Sequence, residues 1–264
     1  MACVDGALIL LFSHMSVVAF VLAFAIGIVL GLVGGGGSIL TNPVLVYAVG
    51  ATPQAAIVMG YPIVGGAALV GAIQHWRSRT IAMSALPVGL AAMLGAWLGT
   101  LLVFRLGIGG QARFALLSVT MIGAGLAMLY DARRSAPPSP RAEPAWPALL
   151  AIGVSVGGLT GIVGVGGGFL MVPALIVLGG LELRRAIGTS LLVIAMSTAV
   201  SFIAQRGSSD VDWGIVLPFG ATAALGLMVG SLLVSRVPAA TLKKSFAGLL
   251  VVVGSAILYE YLTL

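Results

Sequence analysis

Charged side chains in this sequence are confined to short stretches, and between them apolar runs of about 20 residues recur from end to end. A run of that length, as a helix, crosses a hydrocarbon core about 30 Å thick. Only 8% of the residues are charged, against about 25% in an ordinary soluble domain. Such a chain cannot cover a water-facing surface, and it reads as a polytopic membrane protein. In that setting the net charge of +6 points to Lys and Arg retained on the cytoplasmic side rather than to a nucleic-acid partner. The single cysteine, Cys3, excludes a disulfide within the chain and a thiolate metal cluster. The start, MACVDGALILLF, lacks the basic residues of a cleaved signal peptide.

One interval breaks the apolar pattern. Residues 131–147, DARRSAPPSPRAEPAWP, hold five of the twelve prolines, and proline-rich polar sequence acts as a semi-rigid linker. It separates a first transmembrane repeat, 1–130, from a second, 148–264. A shift of 130 residues pairs Gly27, Gly31, Gly34, Gly36, Gly37, Leu40 and Pro43 with Gly157, Gly161, Gly164, Gly166, Gly167, Leu170 and Pro173. A shift of 131 pairs Pro87, Gly89, Gly95 and Gly99 with Pro218, Gly220, Gly226 and Gly230. A correspondence this long is an internal repeat of the kind on which many transporters are built.

Each half holds five apolar segments: 16–34, 38–49, 54–73, 84–103 and 113–130, then 146–164, 168–179, 185–204, 213–234 and 242–262. The second of each set has about twelve residues, about 18 Å of helix, too short to cross alone. If these short segments dip in and return, there are eight crossings, and the 13 basic residues divide six against seven. If they cross, there are ten, and the division is ten against three, with only Arg105, Arg113 and Arg206 outside. The positive-inside rule selects the second. It makes the linker cytoplasmic and the two repeats inverted. Trp76, Trp146 and Trp213 fall at segment ends, where indoles favour the headgroup zone.

The glycine runs stand at the short segments: GLVGGGGSILTNP at 31–43 and GIVGVGGGFLMVP at 161–173. Four extended residues reach about 13 Å. Added to a short helix, they just span the core. The spacing predicts extended backbone over Gly34–Gly37 and a half-helix beginning near Ser38, with the counterpart near Gly168. In an inverted pair both half-helix N-termini point at the midplane. Each offers free N–H groups and about half a positive charge, an anion site without a charged side chain. No Asp, Glu, Lys or Arg lies in the middle of a segment, which argues against a side-chain proton relay. The candidate substrate-binding residues are Gly34, Gly35, Gly36, Gly37, Ser38, Thr41, Gly164, Gly166, Gly167, Gly168, Thr189 and Ser190. The competing reading is that the glycines only let helices pack closely, and for Gly95, Gly99, Gly226 and Gly230 packing is the preferred reading. Thr189 and Ser190 have the alternative of bonding a carbonyl one turn back.

These motifs, with AIGTSLLV at 186–193, resemble the sulfite exporter TauE/SafE family of membrane permeases, and the resemblance runs over residues 16–262. It implies a carrier of sulfite, sulfonates or other sulfur-containing anions. Gly31, Gly34, Gly36, Gly37 and Pro43 match the first motif, and Gly161, Gly164, Gly166, Gly167, Gly168 and Pro173 the second. Ser38 stands where the second copy has Gly168, so the half-sites need not be equal. The expectation is therefore an all-α polytopic membrane protein of two inverted five-segment repeats in a bacterial inner membrane. It would export a small sulfur-containing anion by alternating access. Its partners are the small anion and the lipid bilayer, with no nucleic acid, and a homo-oligomer is left open. No cofactor, metal or catalytic residue is expected. The alternatives are ion-coupled uptake of such an anion and a non-transporting membrane scaffold or assembly protein.

Overall fold

The computed structural model describes residues 17–35, 37–82, 85–133, 146–164, 168–177, 179–205, 207, 210–234 and 236–263. Ten helices run through them. The first half contributes α1 (Val17–Val33), α2 (Ser38–Tyr47), α3 (Pro53–Arg77), α4 (Ala85–Leu106) and α5 (Gly110–Arg133). The second contributes α6 (Trp146–Val163), α7 (Gly168–Val177), α8 (Leu183–Gln205), α9 (Trp213–Leu233) and α10 (Ala239–Thr263). Every apolar segment read from the sequence is one helix, and the described residues contain no strand. α3, α4, α5, α8, α9 and α10 are long and apolar enough to cross a membrane. The protein is an all-helical, polytopic membrane protein. α2 and α7 have 10 residues each, about 15 Å of helix. Residues 134–145 of the proline-rich interval lie outside the described residues.

Local chemistry fixes several helix ends. The Thr52 hydroxyl accepts the Ala55 N–H at 3.3 Å and Pro53 fills the first helical position of α3. Asp212 accepts the Gly214 N–H at 2.8 Å and starts α9. Beyond α2, Gly50 takes φ +82° and the Ala51 N–H turns back to the Leu45 carbonyl at 3.0 Å. Gly180 (φ +61°) lets Leu181 do the same to Leu175 after α7, also at 3.0 Å.

The helices pack in reciprocal pairs across the repeat. Gly27 and Gly31 of α1 lie against the carbonyls of Ala223 and Leu227 on α9, while Gly226 and Gly230 of α9 lie against those of Phe24 and Ile28. The same contact recurs one repeat later. Gly157 and Gly161 of α6 meet the Ala92 and Ala96 carbonyls of α4, and Gly95 and Gly99 meet those of Val154 and Gly158. A Cβ at any of these positions would collide with backbone. This is the close packing that small residues permit between membrane helices. Both pairs run parallel. By contrast, Gly65, Gly71 and His75 of α3 sit beside Thr198, Leu191 and Gly188 of α8, so these two run antiparallel. So do α5 and α10, where Gly125 faces Ala247 and Gly254 faces Met121. The outward faces, such as Leu90, Leu94 and Leu98 on α4 and Leu217, Leu225 and Leu232 on α9, stay exposed, as helices bathed in lipid require.

Candidate functional site

The first break is a fold-back, not the extended run over Gly34–Gly37 that the sequence predicts: Gly34 is left-handed and Gly37 lies in the right-handed helical region (φ −66°, ψ −26°), so the glycines turn the chain instead of lengthening it. α1 ends at Val33, and Gly34 enters the left-handed region at φ +71° with its N–H on the Leu30 carbonyl at 2.7 Å. Only glycine fits here without strain, and a Cβ would also lie 2.6 Å from the Ile187 Cα on α8. By Gly37 the chain has doubled back along its own helix: a Cβ there would meet the Ile26 carbonyl and, at 2.8 Å, the Leu30 amide. Ser38 therefore starts α2 inside the bundle, roughly one turn short of where α1 stopped. The turn is tied by Ser38 N–H and Oγ to the Gly35 carbonyl (3.1 and 2.6 Å) and by Leu40 N–H to Gly37 (3.1 Å). Thr41 Oγ1 reaches the Gly37 carbonyl at 3.4 Å. Gly34, Gly35, Gly37, Ser38 and Thr41 are all buried.

At the second break the described residues match the first. Gly164 has φ +82°, its N–H bonds the Thr160 carbonyl at 2.8 Å, and a Cβ would lie 2.6 Å from Ile57, the counterpart of Ile187. α7 then begins at Gly168. Gly36, Gly166 and Gly167 lie outside the described residues.

Gly34 and Gly164 each have the carbonyl held by a distant side chain. The Ser190 hydroxyl donates to the Gly34 carbonyl and lies 2.8 Å from that of Ile187. Asn42 Nδ2 donates to the Gly164 carbonyl at 3.1 Å, and the room for its Oδ1 is left by Gly60. Thr189 Oγ1 accepts the Ala82 N–H at 3.1 Å and pins the segment after α3 onto α8. Beside it His75 Nδ1 bonds Thr80 Oγ1 at 2.7 Å. Of the four hydroxyls singled out from the sequence, those of Ser38, Thr41 and Ser190 bond backbone at the first break, and that of Thr189 bonds backbone after α3.

A second expectation is corrected. Arg113, counted from the sequence among the outside loop charges, is only 1% exposed and lies within α5. Its Nε donates to the Ile162 carbonyl at 2.8 Å, Nη1 to Gln205 Oε1 at 3.0 Å and Nη2 to the Tyr61 hydroxyl at 3.5 Å. Gln205 Nε2 closes the cluster on Tyr61 at 2.6 Å and Thr100 at 3.5 Å. The guanidinium rests against Gly164, where a Cβ would lie 2.9 Å from Cζ. The apolar run starts at residue 113, but the helix starts at Gly110, and the added first turn carries the arginine inward. Asn42, also passed over, had a visible signal: an amide in a short apolar segment.

The sulfite exporter TauE/SafE family profile matches residues 19–257. A "probable membrane transporter protein" of Xylella fastidiosa (strain 9a5c) is 35% identical over 216 residues, covering 80% of this chain and 82% of that protein. A protein of the same description from strain Temecula1 is 35% identical over 222 residues, 81% and 83% of the two chains. "Probable membrane transporter protein YunE" of Bacillus subtilis is 30% identical over 111 residues, 42% of this chain and 41% of its own. With the profile spanning both breaks and nearly all ten helices, the chain belongs to the sulfite exporter TauE/SafE family.

Proposed function

We propose that the protein is a permease that exports a small sulfur-containing anion, such as sulfite or a sulfonate, by alternating access through a site between its two chain breaks. The observation that carries this reading is the fold-back: Gly37 lies beside Ile26 and Leu30, so α2 begins in the interior rather than at a surface. Irregular backbone at that depth is tolerated only where it is buried in protein or lines a wet cavity. A helix N-terminus there carries about half a positive charge. Gly34, Gly35, Gly36, Gly37, Ser38 and Thr41 make one half-site, and Gly164, Gly166, Gly167 and Gly168 the other. Ser190 braces the first through the Gly34 carbonyl, and Thr189 stands beside it on α8.

The repeats are read as inverted across the membrane. The antiparallel courses of α3 against α8 and of α5 against α10, each a repeat-related pair, support this. The linker then faces the cytoplasm of a bacterial inner membrane. A negative interior expels an anion with about 2.3 kcal/mol per charge per 100 mV, so export needs no coupling ion.

The test is flux in sealed liposomes at clamped voltage, across sulfite, short alkylsulfonates and carboxylates. Sulfur oxyanion efflux that rises with the imposed potential is expected. Gly37→Val drives a side chain into the α1 backbone and is expected to abolish flux while the chain still inserts. Absence of flux for every anion, or full flux in Gly37→Val, would remove the reading.

A further inference from the structure

We infer that Arg113 is the cationic contact for the transported anion, so that the negative charge of the passenger is met on the Gly164 side and the two half-sites are unequal. This rests on the transport reading above. A guanidinium taken out of water without a counter-charge is strongly disfavoured, yet Arg113 is 1% exposed and its partners among the described residues are a carbonyl, an amide and a phenol. Three of its five N–H groups are directed at these acceptors. One N–H on each Nη remains for a compact oxyanion, a ligand class that arginine favours.

Its place in the fold matches that use. The guanidinium lies against Gly164, whose carbonyl holds Asn42 on the half-helix α2, one turn from Ser38. Two buried polar groups therefore meet at Gly164: Asn42 bonds its carbonyl, and the Arg113, Gln205 and Tyr61 cluster packs against its Cα. Among the described residues the other break has no such cluster. In the repeat, Arg113 corresponds to Lys244, which is exposed, and Tyr61 to Leu191, which is buried and apolar. Gln205 corresponds to His75, which bonds Thr80 instead. A charge held in one half-site only is a recognition element rather than a demand of the fold.

The bland alternative is that Arg113 merely caps the last carbonyls of α6. Arg113→Gln and Gln205→Glu separate the two. The second keeps the arginine and the packing but sets a carboxylate beside it, neutralising the charge that an anion would seek. Binding and liposome flux are measured with sulfite and a short alkylsulfonate, with thermal unfolding as a check on folding. We expect both variants to raise KM and Kd by about tenfold to a hundredfold, the loss of one or two charge-assisted bonds, and Arg113→Lys to fall between them and the parent. A Gln205→Glu protein that folds with unchanged KM overturns the assignment while leaving transport intact. A parent protein that moves none of the anions fails earlier, at the transport reading itself.

Discussion

Gly60 and Ser190 occupy corresponding positions in the two repeats and secure the two breaks by opposite means. Ser190 reaches the Gly34 carbonyl with its own hydroxyl. Gly60 has nothing to reach with, but its missing side chain makes the room in which Asn42 turns to the Gly164 carbonyl. Both solutions satisfy a buried carbonyl that would otherwise cost about 1–3 kcal/mol. The two first-half residues should therefore be coupled. Asn42→Ala is expected to cost about 1 kcal/mol, the scale of an interhelical hydrogen bond in a membrane protein. Gly60→Ala should cost at least as much, because its methyl displaces the Asn42 amide. In the Asn42→Ala background the same Gly60→Ala change should be nearly neutral. A double-mutant cycle by thermal unfolding in detergent reads this; additive losses would mean that Gly60 is small for another reason.

Among whole elements, the same residue type plays two roles that geometry separates. Gly157 on α6 would put a Cβ within 2.7 Å of the Ala92 Cα, whereas Gly123 on α5 has nothing within 4 Å. Gly157→Ala should wedge α6 from α4 and lower the unfolding temperature. Gly123→Ala gains helix propensity, about 0.5–1 kcal/mol, and should leave that temperature unchanged or raise it. Equal effects of the two would put the helix pairing in error. The positions of all ten helices were legible in the sequence, because apolar runs and glycine breaks have few other uses in a bilayer. The first break, from Gly34 to Ser38, lay where the glycine run put it. Arg113 was not legible. Hydropathy ends a segment at its last charge, while the α5 backbone begins at Gly110 and draws that charge inward. Nor could spacing reveal that the Gly164 carbonyl is held by a residue 122 positions away. Which donor fills a gap depends on tertiary contact, not on local pattern.

For the molecule as a whole, the decisive question is which ends of α3 and α8 share a side of the membrane. With short segments that dip and return, the loops after these two helices lie on one face. With two inverted repeats they lie on opposite faces, as the antiparallel course of α3 and α8 suggests. Moving Arg113 from the outside loops into the bundle sharpens the charge count, since of the three outside basic residues only Arg105 and Arg206 then remain against ten. Ser78 follows α3 and Asp210 follows α8, and both are exposed. In a Cys3→Ser background, Ser78→Cys and Asp210→Cys can be labelled with a membrane-impermeant maleimide in intact cells and in inside-out vesicles. The inverted arrangement expects Asp210→Cys to react in cells and Ser78→Cys only in vesicles. Reaction of both from one side would place the two breaks on the same face. The half-helix N-termini could then no longer meet from opposite directions, and the passenger would have one break, not two, to bind.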